Sequence, residues 1–290
     1  MGKIAKIGLT QVSVNHEMSI EECLDEVVAL TESCLKDGAD LVVLPECYQY
    51  KASGAHSKEL AEKYAEPHKK RCAKLAKQYG AYVVPWDYEL CDGKTYNTSY
   101  ILDRGGNEIG RYRKVHPAFG ETVFPGNDFP VFDLDFGKVG IMICFDNYYA
   151  ECARILSLRG AELILYPLYG DTLIPQWEMK TKVRAIDNSV YVAPCCIGFD
   201  GVSYTGMIDP AGEIIAKLDK QNSYQVVEIE MGKVVNTNLS AGKDGRYEDI
   251  KQYLNKARNV SAYGPLLEEI PSLEWNEIMV NRKTEGMYYK

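Results

Sequence analysis

Cys144 ends the short apolar run Gly140-Ile141-Met142-Ile143, and the polar residues Asp146 and Asn147 follow it. A thiol at the end of a buried strand is held rigidly. If a helix opens behind it, the backbone N–H groups at the helix start favour thiolate over thiol. A placed, activated thiol does acyl chemistry without a metal. Glu46 closes a second such run, Leu41-Val42-Val43-Leu44-Pro45. A carboxylate directly after a buried strand is poorly solvated, which raises its pKa toward the range a general base needs. Lys114 lies in Arg111-Tyr112-Arg113-Lys114-Val115-His116. Strand alternation puts Tyr112 and Lys114 on one face and Arg111, Arg113 and Val115 on the other, so one lysine points inward while its neighbours stay wet. Taken singly, Glu46 also reads as a loop acid and the basic run as a solvated sheet edge.

The chain that must position these groups has 290 residues, 46% of them hydrophobic, enough for a sizeable core in one large domain or two small ones. A net charge of −8 argues against nucleic acid or an acidic membrane surface as partner. The strongly apolar runs are far too short to span a bilayer, and Met1–Lys6 leads straight into a strand pattern without a secretory segment. A cytoplasmic protein is expected. Nine cysteines are many, but apart from Cys144 they read as small buried hydrophobes, with Cys23, Cys34 and Cys72 on apolar helix faces. His16, His56, His68 and His116 never approach the cysteines at ligand spacing, so neither a metal nor another cofactor is expected.

Ile4–Gln11 alternates like a strand, and Ser19-Ile20-Glu21-Glu22 is a capping box for a helix that stops at Gly38. Leu41–Leu44 reads as a strand, Pro67–Tyr79 as a helix closed by Gly80, and Ala81–Trp86 as the next strand. Tyr96–Leu102 and Glu108–Tyr112 form a hairpin across the turn 103–107. After the Cys144 strand come a helix over Tyr148–Leu158, a strand at Leu163–Tyr166, a helix over Gln176–Asp187 and a strand at Val190–Cys195. A hairpin of Tyr204–Ile208 with Glu213–Lys217 and a last strand, Tyr224–Ile229, complete the pattern. Mixed β/α alternation with hairpins at both ends implies an α/β fold of sheets covered by helices. Residues 1–235 form one domain; 236–290 have too few periodic apolar positions for a core and are expected to pack on the domain or on a partner subunit.

In this order the three segments resemble the nitrilase superfamily of carbon–nitrogen hydrolases. The resemblance rests on Pro45-Glu46, on Tyr112-Arg113-Lys114 with His116, on Gly140 to Cys144 and Asp146, and on Arg184-Ala185-Ile186-Asp187-Asn188-Ser189-Val190-Tyr191-Val192. It covers nearly the whole chain and implies a four-layer αββα sandwich, with chains paired into a homodimer or larger assembly. It also implies a Glu46–Lys114–Cys144 triad. Glu46 takes the thiol proton, Cys144 attacks the carbonyl carbon, and Lys114 with the Phe145 N–H holds the oxyanion. A second family glutamate matches Glu121 and would orient Lys114 or the substrate. A Cys144–His116 dyad is the rival assignment, against which the family pattern argues.

Ala150, where many relatives have proline, resembles the branch that includes ω-amidases. Relatives that hydrolyse N-carbamoyl-D-amino acids carry paired arginines just after the nucleophile; Asn147 and Tyr148 stand there instead, so that carboxylate clamp is missing. Tyr169 and Asp171 fall where relatives line the substrate pocket, suggesting an aromatic site that is neutral or mildly favourable to an amine; Asp171 also reads as an ordinary turn acid. The implied reaction turns a small amide into a carboxylic acid and ammonia through a Cys thioester. An N-carbamoyl (ureido) substrate is the alternative, followed by a nitrile, a glutaminase-type ammonia supply to a partner, and a non-catalytic binding protein.

Overall fold

Short strands that are apolar on both faces can be held only inside a protein, and two sets of them build this one. The structure, a computed structural model, describes residues 2–13, 17–49, 57–118, 121–198, 201–233 and 250–268. In the first set β1 (Ile4–Gln11), β2 (Leu41–Val43) and β3 (Tyr82–Val84) run parallel, and β2 and β3 are wholly buried. The connections carry α1 (Ile20–Lys36) and α2 (Glu66–Tyr79). The α1 start is a reciprocal cap: the Glu22 N–H donates to Ser19 Oγ, and the Ser19 N–H donates to the Glu22 carboxylate. α2 ends on Gly80 at φ 61°, a left-handed position that costs glycine little.

Antiparallel strands extend this sheet on both sides. β13 (Ser223–Glu230) pairs with β1, while β5 (Lys94–Leu102) pairs with β3, β4 (Trp86–Cys91) and β6 (Glu108–Arg113), giving seven strands among the described residues. A six-stranded sheet orders β12 (Ile214–Lys217), β11 (Gly206–Ile208), β10 (Tyr191–Cys196), β9 (Leu163–Leu168), β8 (Gly137–Ile141) and β7 (Val131–Leu134). α3 (Ala150–Leu158) and α4 (Ile174–Asn188) cover its outer face. Gly140 on β8 admits α3 closely, since a Cβ there would lie 2.8 Å from Leu156 Cδ2.

The two sheets stack directly. The Cys195 sulfur on β10 lies 2.8 Å from the Thr10 carbonyl and 3.3 Å from that of Val43, and the Thr205 N–H donates to Gln11 Oε1 at 3.0 Å. With α1 and α2 outside one sheet and α3 and α4 outside the other, the molecule is the expected four-layer αββα sandwich.

Several elements differ from the sequence expectation. The single strand expected over Ala81–Trp86 is two, because Pro85 lacks an N–H and ends β3, and the chain continues into β4. β4 and β7 were not anticipated: four of the six β4 residues are buried without alternation, and β7 is only four residues long. The helix expected from Tyr148 is a 3-10 turn over Cys144–Tyr148, and α3 begins only at Ala150.

All nine cysteines are free thiols. Cys91, expected to be buried, is partly exposed at the open end of β4. No described helix is long and apolar enough to cross a membrane. Of the tail expected over 236–290, residues 236–249 and 269–290 lie outside the described residues. Its described part begins with α5 (Ile250–Lys256), where Lys251 Nζ donates to the Ala161 carbonyl; Val260, Tyr263 and Leu266 share a groove with Tyr149, Ile155 and Leu158.

Candidate active site

Glu46 follows β2 through Leu44-Pro45 and is 1% exposed. Its Oε1 accepts from Lys114 Nζ at 2.8 Å and from Asn97 Nδ2 at 2.7 Å, and its Oε2 accepts from the Tyr169 N–H at 2.9 Å. Lys114 sits just past β6, where its N–H donates to the Asn97 carbonyl at 2.8 Å. The expected alternation holds: Tyr112 and Lys114 are buried, while Arg111 and Arg113 turn to the other face and pair with Glu89. Lys114 Nζ also donates to Glu121 Oε1 at 3.0 Å and Oε2 at 2.8 Å. Burial disfavours an ammonium, but Glu121 and Glu46 override it and hold the lysine well above its usual range. Burial pushes the Glu121 carboxyl up, as does the Glu46 charge, against the pull of Lys114. Lys114 therefore stays charged between two carboxylates, each partner offsetting the cost of burying the others.

Cys144 reaches this group from the second sheet. It has φ 46°, in the left-handed region that non-glycine residues rarely occupy. Removal from water pushes its thiol well up, and the Glu46 charge adds to this, against Lys114. Here the structure corrects the sequence reading. A favouring helix start was expected to leave a thiolate, but the 3-10 turn is short and α3 begins six residues on. The resting group is a thiol with a proton acceptor beside it.

Asp146 fixes the elbow. Its Oδ2 accepts from the Tyr112 hydroxyl at 2.6 Å and the Ile143 N–H at 2.9 Å, and its Oδ1 from the His116 N–H at 3.0 Å. The Tyr166 hydroxyl donates to the Cys144 carbonyl at 3.1 Å. His116 Nδ1 lies 2.9 Å from Asp146 Oδ1 and 3.5 Å from Cys152 Sγ, with its ring stacked on Tyr149 at 3.8 Å between centroids. That geometry ties His116 to the elbow's anchor and offers no dyad with Cys144.

Contrary to the expectation from spacing, the fold gathers two groups with metal-ligand chemistry: His116, Asp146 and Cys152, and Glu46, Cys47 and Glu121. In both, the carboxylates already accept hydrogen bonds from protein donors.

The residues expected to touch substrate divide. Asn147 is 1% exposed and faces α4: its amide donates to Thr181 Oγ1 at 3.0 Å and its carbonyl accepts from Arg184 at 2.9 Å. The Tyr148 hydroxyl donates to Asp171 Oδ2 at 2.8 Å, Lys180 Nζ lies 3.6 Å above the Tyr148 ring, and the Phe145 ring stacks on it at 4.8 Å. Asp171 also caps its own turn, accepting from the Leu173 N–H at 2.8 Å. Tyr169 reaches the site through its backbone N–H.

Sequence reasoning assigned no role to Asn97, used Asp146 only as part of the motif around Cys144, and placed Tyr166 only within the pocket-lining segment Leu165–Asp171. An asparagine in the middle of a strand, where the residue is depleted, was a usable signal for the first.

The carbon–nitrogen hydrolase family model matches residues 3–238. The omega-amidase NIT2 of Xenopus tropicalis is 31% identical over 246 residues, covering 78% of this chain and 88% of the relative. The mouse omega-amidase NIT2 is 30% identical over 249 residues, with coverages of 79% and 90%. Among solved structures, Saccharomyces cerevisiae Nit3, a member of branch 10 of the nitrilase superfamily, superposes with TM-score 0.69 at 27% identity over 79% of this chain and 90% of its own. An amidase from Nesterenkonia sp. shares the fold, with TM-score 0.73 at 20% identity over 92% and 97% of the two chains. The chain belongs to the carbon–nitrogen hydrolase family of the nitrilase superfamily. Within it, the relatives put the sequence on the amidase and omega-amidase-like branch.

Proposed function

We propose that this carbon–nitrogen hydrolase cleaves a small amide to a carboxylic acid and ammonia through a thioester on Cys144, with Glu46 as base and Lys114 as oxyanion donor. The observation that carries the reading is the cluster in which Glu46 hydrogen-bonds the buried Lys114 ammonium and the charges of both act on the Cys144 thiol.

Cys144 Sγ attacks the carbonyl carbon while its proton passes to Glu46. The oxyanion is held by Lys114 Nζ and the Phe145 N–H. Collapse of the intermediate returns the proton from Glu46 to the nitrogen, which leaves as ammonia. Glu46 then takes a proton from water, the hydroxide adds to the thioester, and the second collapse expels the sulfur, which regains that proton as the acid departs. The sum is amide plus water to acid plus ammonia. Glu121 keeps Lys114 charged and aimed.

The omega-amidase relatives support an amide substrate. A Nesterenkonia amidase variant carrying the acetamide moiety of fluoroacetamide on its active-site cysteine, an alkylation rather than an acylation, shows a nucleophilic thiol at that position in that enzyme and so supports Cys144 as the attacking group. Asn147, committed to Thr181, and Tyr148, committed to Asp171, leave no arginine pair for a carbamoyl amino acid, which ranks the ureido substrate second.

The assembly is proposed to be homo-oligomeric through α3 and α4, which expose Leu158, Met179 and Ile186; sedimentation equilibrium showing only monomer would refute it. Nine free thiols support a reducing, cytoplasmic setting. The tail is proposed as a strap outside the 1–235 domain, on the side where Tyr263 and Leu266 meet α3.

The test is ammonia release over small amides, carbamoyl compounds and nitriles, with Cys144→Ala alongside. Turnover of an amide that vanishes in the folded variant is expected; substantial ammonia release by Cys144→Ala defeats the assignment.

A further inference from the structure

Asn97 is fully buried in the middle of β5, facing the catalytic cluster. Its amide has two N–H donors, and its nitrogen lies 2.7 Å from Glu46 Oε1 and 2.9 Å from Glu121 Oε1. Its oxygen accepts from the Trp86 indole N–H at 2.6 Å. An indole nitrogen can only donate, so this bond decides which end of the amide faces the carboxylates. Trp86 is itself fully buried, packed edge-on against Tyr48 and Tyr88. The Asn97 carbonyl also accepts from the Lys114 N–H, so one residue touches the backbone or side chain of three members of the cluster.

Two carboxylates on one ammonium repel each other, and each could rotate away from it. We propose that Asn97, oriented by Trp86, is a positioning residue that ties Glu46 and Glu121 together beside Lys114 Nζ and so fixes the direction from which the base meets Cys144. The proposal rests on the triad reading above. Neutral donors suit this place, because an amide holds both carboxylates without taking the proton that Glu46 must accept and return. A second cation there would compete with Lys114 for both partners.

The charged and titratable groups facing the carboxylate pair are Lys114, Cys144, Cys47, Tyr88 and Tyr166. An N–H bound to a carboxylate favours its charged form, so losing Asn97 raises the pH at which the pair protonates.

The experiment uses the full chain with succinamate, a small ω-monoamide, as probe. Iodoacetamide labelling of the Cys144 peptide, followed by mass spectrometry across pH, reports on the thiol independently of turnover. Asn97→Leu keeps the shape and removes both donors. It is expected to lower kcat about 10- to 100-fold with KM within about threefold, and to move the acid limb of kcat/KM and of labelling up by about one pH unit. Trp86→Phe keeps the ring and removes the orienting N–H; it should shift the limb the same way by less. Asn97→Asp adds a third carboxylate and should shift it furthest.

A merely structural Asn97 would lower thermal stability while leaving both pH profiles in place, and that result overturns the proposal. Should Asn97→Leu fail to fold, Trp86→Phe decides alone, and an unmoved acid limb in that variant is equally fatal. Failure of the triad reading is separate: it shows as turnover in Cys144→Ala, whatever the Asn97 variants do.

Discussion

Among the described residues, Lys114 carries the one positive charge paired with both Glu46 and Glu121, and its side chain is as buried as theirs or more so. Replacing it with methionine keeps the length and removes the charge, leaving two carboxylates facing each other in the interior. One oxyanion donor is worth about 3 kcal/mol, so Lys114→Met should lose upwards of a hundredfold in kcat, read as ammonia release. A near-normal rate would refute the oxyanion role of Lys114. The cysteines show why residue type alone misleads. Cys47 is adjacent to Glu46 and lies close to Glu121, but it is buried, its thiol is pushed well up, and it sits by the Tyr88 hydroxyl at 3.6 Å. Both cysteines have left-handed backbones, φ 61° and 46°, and Cys144 differs by its partial exposure.

At the scale of elements, what the sequence disclosed was what periodicity and punctuation carry. Ser19 with Glu22 marked the α1 start, Gly80 the α2 end, and the inward lysine followed from counting along β6. Glu46, Lys114 and Cys144 were legible because each comes within three residues after a strand. Asn97 and Asp146 were not, since their partners come from β2, β4, β6 and distant loops that no local pattern connects. A second buried network was equally hidden. His68 on α2 pairs with Asp87 on β4 at 2.8 Å, and Cys72 lies 3.4 Å from the other ring nitrogen. Burial alone would lower the His68 pKa, but Asp87 and Cys72 raise it to about 10 from 6.5. The folded state then binds the proton more tightly than the unfolded one. The stabilisation is complete below about pH 6.5 and fades as pH rises toward 10. Burial also pushes the Asp87 carboxyl up, so its contribution at the acid end falls with rising pH as well. Denaturant midpoints should therefore decline from neutral to pH 10 in the parent, and the decline should flatten in His68→Gln. That variant, leaving Asp87 unpaired, should cost about 3–5 kcal/mol at neutral pH. At the α1 start, Ser19→Ala should cost about 1 kcal/mol, read by thermal melting, with kcat unchanged.

For the whole molecule, the αββα stack sets the geometry of the proposed site, because Glu46 and Lys114 leave one sheet and Cys144 the other. The sheets are keyed together by polar contacts as well as by packing: Cys195 against Thr10 and Val43, Thr205 on Gln11, and Tyr112 on Asp146. No residue of the triad is covalently close to another, so the site exists only while the two halves keep their registration. The enzyme is in effect its own alignment gauge. A slip of an ångström between sheets would silence it while every strand and helix stayed intact. In a urea series, activity should fall before the far-UV circular dichroism does, and the gap should widen when Gln11→Leu removes the acceptor of one of the keys. Coincident loss in both proteins would mean that the two halves never part without unfolding.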